Sequence, residues 1–246
     1  MSKADRNLLE IEAATIYVLT DSGRILRRSS PDHEEGSRFR LASCNSGNVV
    51  LIRHDVSEST ARSIEGLAAR EPALAHPDGL PVYLNEYRRL LAVEAPVKSG
   101  DSDLIWTFPD QLDHDHPAEL VRSDTSAGDQ LLARLADRGM PESVAKMGFV
   151  DIGDFWAPWC IALQGEEIAS IAFTVGVGPA SAEVGVTTMP AFRGQGLAAV
   201  ATAGWASLPA NNGRVLFYGT SRANISSQRV TQRLGLRLIG TSLKID

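Results

Sequence analysis

The run Val186-Thr187-Thr188-Met189-Pro190-Ala191-Phe192-Arg193-Gly194-Gln195-Gly196-Leu197-Ala198-Ala199 decides the fold of the chain around it. An apolar strand over 183–188 ends near Met189 and Pro190 turns the chain. A glycine-rich segment then opens a helix that continues through Ala201, Ala203 and Trp205. Amides at a helix start have no partner within the helix, and the helix dipole places partial positive charge there, so this geometry suits a pyrophosphate. Glycine at 194 and 196 removes the Cβ atoms that would hold phosphate oxygens away from those amides. Arg193 can add a full positive charge, worth about 1.5 to 3 kcal/mol where it hydrogen-bonds a charged group.

Outward from this run, the spacing predicts strands over 156–163 and 168–175, joined by the hairpin signal Gln164-Gly165-Glu166. Downstream come a strand over 215–219, a helix, and a last strand over 236–244. Upstream, a strand over 118–122 precedes an amphipathic helix over 127–138, with Leu131, Leu132 and Leu135 at helical spacing, and a short helix near 144–147. The first hundred residues read as a small α/β unit. Strands over 15–19 and 24–28 flank the turn Asp21-Ser22-Gly23, the segment to Gly47 reads as polar loop, and 49–52 reads as a buried strand. Asp55 with Glu58 has capping-box spacing ahead of a helix to about Arg70, a second helix covers 83–93, and a strand covers 104–108. The expected class is α/β, in the sense of an α+β mixed sheet. The expected division is an N-terminal unit over 1–110 and a C-terminal domain over 111–246.

The boundary is drawn at Pro109-Asp110-Gln111-Leu112-Asp113-His114-Asp115-His116-Pro117. Alternating Asp and His could present metal ligands, but no distant ligand motif accompanies them and prolines at both ends suit a solvated linker, so no metal site is expected.

At 246 residues, 43% hydrophobic and 22% charged, the chain can bury a core without disulfides or metal staples. A net charge of -6 gives no basic footprint for nucleic acid or anionic membrane, so neither is an expected partner, and a phosphate site must be locally positive against that background. Cys44 and Cys160 are expected to be buried, reduced thiols. No apolar signal core follows the N-terminus and no 18-residue apolar run occurs, which points to a cytoplasmic protein.

In the run quoted first, Arg193, Gly196 and Ala198 meet the pattern of Arg or Gln, two residues, Gly, one residue, then Gly or Ala. Pro190 and Phe192 precede them, and Asn224, Ser227 and Leu234-Gly235-Leu236 follow the strand over 215–219. In these features residues 118–246 resemble the GNAT superfamily of N-acetyltransferases. Gly194, Gly196 and Ala199 also satisfy a dinucleotide-binding pattern. Two features count against a dinucleotide site: the strand over 215–219 carries no acidic residue for a ribose, and too few residues remain for a six-stranded Rossmann sheet.

The resemblance implies a GNAT acyl-CoA fold, with acetyl-CoA as co-substrate and no metal. It implies that the backbone of Val186, Thr187 and Thr188 pairs with the pantetheine arm and polarises the acetyl carbonyl. Arg193, Gly194, Gln195, Gly196, Leu197 and Ala198 would hold the pyrophosphate, and Asn224 would hydrogen-bond the pantetheine or order its loop. Glu183 stands where some members place the base that deprotonates the acceptor amine; a solvated strand-end charge is the other reading. Many members use a tyrosine seven residues after the Asn to reprotonate the thiolate, but here that position is Thr231, which leaves Ser227 as the next candidate. Trp156 and Trp159 could line an acceptor pocket or belong to the aromatic core. The expected partner is the amine of a small molecule or peptide, with a homodimer as an open possibility. Binding of acyl-CoA without turnover, as a sensor or scaffold, is the alternative function.

Overall fold

In a computed structural model, which describes residues 4–74, 76, 77, 79–98, 101–112 and 118–246, the chain opens on α1 (Asp5–Ile16). The acidic look of this segment hides a helix in the sequence. Leu9, Ala13 and Ile16 recur at i, i+4 and i+7 and are buried together with Leu8 and, unexpectedly, Glu12. β1 (Tyr17–Leu19) and β2 (Ile25–Arg28) form the expected antiparallel hairpin, with Gly23 at φ +79° in its turn.

The polar loop expected before Gly47 is corrected by β3 (Phe39–Cys44), all six residues of which are buried. Arg40 and Ser43 interrupt its apolar pattern, and Arg40 can lie inside because its guanidinium meets the Glu12 carboxylate at 2.6 Å. β4 (Gly47–Ile52) and α2 (Glu58–Ala68) follow. The cap of α2 is Ser57, whose Oγ accepts the Thr60 N–H, and not Asp55, which is drawn off by Arg53 at 2.7 Å. Then come α3 (Leu84–Ala92), β5 (Asp101–Thr107), β6 (Glu119–Arg122), α4 (Ser126–Arg138) and α5 (Glu142–Ala145). The remainder is β7 (Trp159–Gln164), β8 (Glu167–Gly178), β9 (Ser181–Thr188), α6 (Leu197–Ala206), β10 (Val215–Ser221), α7 (Ile225–Arg233) and β11 (Arg237–Ile245). Residues 113–117, on which the metal reading fell, lie outside the described residues.

One mixed sheet of nine strands runs β4-β3-β11-β5-β10-β9-β8-β7-β6. Its pairs are antiparallel except β9 with β10. Strands from 1–110 and from 111–246 therefore share a sheet, and β5 lies between β10 and β11.

Because side chains alternate along a strand, the sheet has two buried faces. On one, Leu8 and Leu9 of α1 pack against Ile105, Phe217 and Ile239, while Leu131 and Leu135 of α4 pack against Ile161 and Ile171. On the other, Leu197, Ala201 and Trp205 of α6 pack against Ala162, Ala172, Val184 and Tyr218. α2 and α3 cover Phe39 and Leu41 on the face opposite α1. Cys44 and Cys160 are buried free thiols, and burial pushes the Cys160 thiol up to about 12. Among the described residues no helix is long and apolar enough to cross a membrane.

Candidate functional site

The parallel ladder between β9 and β10 runs from Ser181–Val215 to Val184–Tyr218 and stops there. β9 continues to pair with β8 as far as Thr188, and β10 with β5 as far as Ser221. The two strands therefore part beyond Val184 and Tyr218, and the edge of residues 185–188 that faces β10 has no β partner. Backbone amides and carbonyls without a β partner at such a fork can take a ligand's hydrogen bonds; of those here, the Thr188 carbonyl already accepts a hydrogen bond from Arg193 Nε at 3.3 Å.

The chain leaves this fork through a short turn at Pro190–Phe192 and enters α6. Gly194 and Gly196 have φ of +81° and +85°, left-handed values that glycine adopts without strain. Gly196 is the N-cap of α6 and no side chain caps the helix, so the first amides stay open toward an anion. A cavity of about 600 Å³ lies against this cradle. Its walls bring together Val186, Thr187, Thr188, Arg193, Gly194, Gly196, Leu197 and Ala198, with Asn224 and Ser227 from the start of α7. Gln195 is exposed and does not line it.

Among the cavity residues that sequence reasoning does not single out are Tyr218, Arg229 and Arg233. The two arginines stand at i, i+4 on α7, a signal that only the placement of that helix makes legible. With Arg193 they put three guanidinium groups at one mouth of a chain whose net charge is -6. Among the described residues none of the three meets a carboxylate within ion-pair distance. The site is locally positive, as a phosphate ligand requires.

Residues 159–241, from β7 into β11, match the family model for GNAT acetyltransferase. This stretch of the chain is similar to the GNAT acetyltransferases. No curated protein matches it. Among solved structures it is similar to a GNAT-family protein from Novosphingobium aromaticivorans (23% identity, 61% of this chain and 65% of that one, TM-score 0.42). It is also similar to a GCN5-related N-acetyltransferase from Kribbella flavida (16%, 67% and 63%, TM-score 0.43). A third is a GNAT-family acetyltransferase from Colwellia psychrerythraea (11%, 99% and 97%, TM-score 0.46). The match spans a little under two thirds of the first two structures' length.

Within the matched stretch Glu183 does not line the cavity. It projects from β9 toward the α1 face, one residue short of the fork, and is 8% exposed. Its carboxylate lies over Gly219, where a Cβ would come within 2.8 Å of Oε1, and Oε2 is buried without a partner. Burial above all, then the Glu12 charge, pushes the Glu183 carboxyl up to about 8, against the opposing pull of Lys244 and Arg40. Such a group is not the solvated strand-end charge that the sequence also allowed.

Asn224 serves as N-cap of α7, its Oδ1 accepting the Ser227 N–H at 3.0 Å. Ser227 Oγ lies 2.7 Å from Tyr218 Oη. Thr231 is fully buried, donates its hydroxyl to the Gln228 carbonyl at 2.8 Å and stays out of the cavity wall. Trp159 is 2% exposed within the α4-side core, and Trp156 is half-buried.

Proposed function

We propose that this protein transfers the acetyl group of acetyl-CoA to the amine of a small molecule or peptide. The observation that carries the proposal is the coincidence, in one cavity, of a forked pair of parallel strands with a glycine-lined helix start flanked by three arginines. The GNAT match supports acyl transfer as the reaction class. The unpaired edge of 185–188 would accept the pantetheine arm as an added strand, and a backbone N–H there would polarise the acetyl carbonyl. The open amides of Gly194, Gly196 and Leu197, with Arg193, would take the pyrophosphate. Glu183, acting through water, would receive the proton that the acceptor amine must lose.

Acetyl-CoA or CoA should raise the melting temperature, since the cradle exists only in the folded state; ligand at 100 times its dissociation constant adds about 2.7 kcal/mol. NAD should leave it unchanged. A larger shift with NAD than with CoA would overturn the assignment of the cavity. Release of free thiol from acetyl-CoA in the presence of a broad amine panel then separates a transferase from a protein that binds acyl-CoA without turnover.

For Glu183 the pH dependence is specific. A base with its carboxyl near 8 is mostly protonated at pH 7, so kcat should climb as pH rises through about 8. Glu183→Gln should lower kcat by roughly 10² at pH 8 and erase that climb. Part of the loss should return at higher pH, as an alkylamine with a pKa of about 10.4 becomes neutral in water. A variant that keeps the native kcat and the native profile would remove Glu183 from the mechanism.

A further inference from the structure

We propose that Tyr218 is the acid that protonates the CoA thiolate as it leaves, with Ser227 as the group that relays a proton back to it. This rests on the transferase reading above and names a residue that the sequence alone did not single out. Tyr218 belongs to the last hydrogen-bonded pair before β9 and β10 part, so its ring stands at the apex of the fork. It is 1% exposed, yet it forms part of the cavity wall on the α6 and α7 face. Its side of β10 is the side of Val184 on β9, and Val186 continues that side up the open arm. A thioester whose pantetheine pairs with 185–188 reaches its sulfur end at that apex.

The phenol is equipped for the task. Its hydroxyl has one partner, Ser227 Oγ at 2.7 Å, and Ser227 is half-buried in the first turn of α7, between the phenol and solvent. Desolvation raises the Tyr218 phenol above its usual range, outweighing the Ser227 hydrogen bond that lowers it, so the hydroxyl holds its proton until a strong base appears beside it. The helix start at Ser227 favours negative charge near it, which eases the passing tyrosinate. Thr231, a turn further along α7, is turned into the helix and cannot take this part.

The step balances as follows. The neutral amine attacks the acetyl carbonyl carbon, and its surplus proton leaves through water toward Glu183. The C–S bond breaks, and the departing thiolate takes the Tyr218 hydroxyl proton to give CoA thiol. The tyrosinate recovers a proton from Ser227, which is resupplied by solvent.

The test uses the full chain with acetyl-CoA and an amine panel containing a monoamine, a polyamine, an amino acid and a short peptide. Tyr218→Phe removes one oxygen and keeps the ring. kcat should fall by roughly 10², while KM for acetyl-CoA, the affinity for CoA and the melting temperature stay within twofold or a degree or two of native. Ser227→Ala should give a smaller loss in the same direction. Tyrosine fluorinated on its ring ionises at lower pH; placed at 218, it should shift the alkaline fall of kcat downward with it, which a packing role would not do. If the native protein transfers acetyl to some amine but Tyr218→Phe keeps native kcat, or fluorination leaves the alkaline limb in place, the acid is not Tyr218. If the native protein transfers acetyl to none of the amines, the transferase reading fails and this assignment falls with it.

Discussion

Replacing Arg40 by methionine should cost about 3–5 kcal/mol of stability, measured by urea unfolding at neutral pH. Arg40 is 1% and Glu12 3% exposed, and their charges meet at 2.6 Å under α1. Two buried ions attract strongly enough to offset much of their desolvation only while both are present; removing one leaves the other stranded. The loss is therefore a penalty for orphaning Glu12, and not the net worth of the pair. Arg40→Met combined with Glu12→Leu should recover most of it, because an apolar pair of similar volume is often as stable as the ions it replaces. The single variant should also move the climb of kcat near pH 8 to higher pH, because Arg40 is one of the two charges that hold the Glu183 carboxyl down. A single variant less than about 1 kcal/mol below native would mean that Glu12 finds water or another partner.

Gly196→Asp should abolish CoA binding, lowering affinity by at least ~10²-fold in calorimetry, since losing a charge-assisted contact and gaining a repulsion together exceed ~3 kcal/mol. The residue has φ +85°, and a Cβ there would run into the tip of the Arg233 guanidinium. Aspartate tolerates left-handed backbone better than most residues, so the fold should lose only about 1–2 kcal/mol. The new carboxylate would take Arg233 for itself and sit among the amides offered to phosphate. Gly196→Asn has similar bulk and no charge, and should bind CoA more weakly than native but measurably. An Asp variant with native affinity and an unchanged circular dichroism spectrum would show that the phosphates lie elsewhere.

The C-terminal elements were legible because their signals are local. The strand, proline turn, glycines and apolar helix around Gly194 and Gly196 follow one another within a few residues. The hairpin at Gly165 does the same. The N-terminal half was harder for one physical reason: its core contains charge. Arg40 in β3 and Glu12 in α1 each break the apolar period of their own segment, and each is intelligible only beside the other, 28 residues away. The same holds at the site. Val186, Thr187 and Thr188 could be placed from the motif, whereas nothing within the strand over 215–219 marks Tyr218, whose partner Ser227 is brought across from α7 only by the fold. Glu183 was legible as a carboxylate near the fork, but its burial depends on α1 and on the absence of a side chain at Gly219.

The position of β5 also has a consequence for how this protein is made. On the ribosome, β5 leaves the exit tunnel before β10 and β11, the two strands that flank it, exist. Roughly 110 residues separate β5 from β10, which at typical synthesis rates is about 5 to 20 s. During that interval β3 and β5 present open backbone edges to solvent or to a neighbouring nascent chain, the situation in which wrong strand pairing and chaperone capture compete with folding. β11 ends the wait, since it pairs with β3 on one side and β5 on the other. Yield in a cell should thus depend on the speed at which 215–245 is translated, and synonymous codons that slow that stretch should lower it without changing a single side chain.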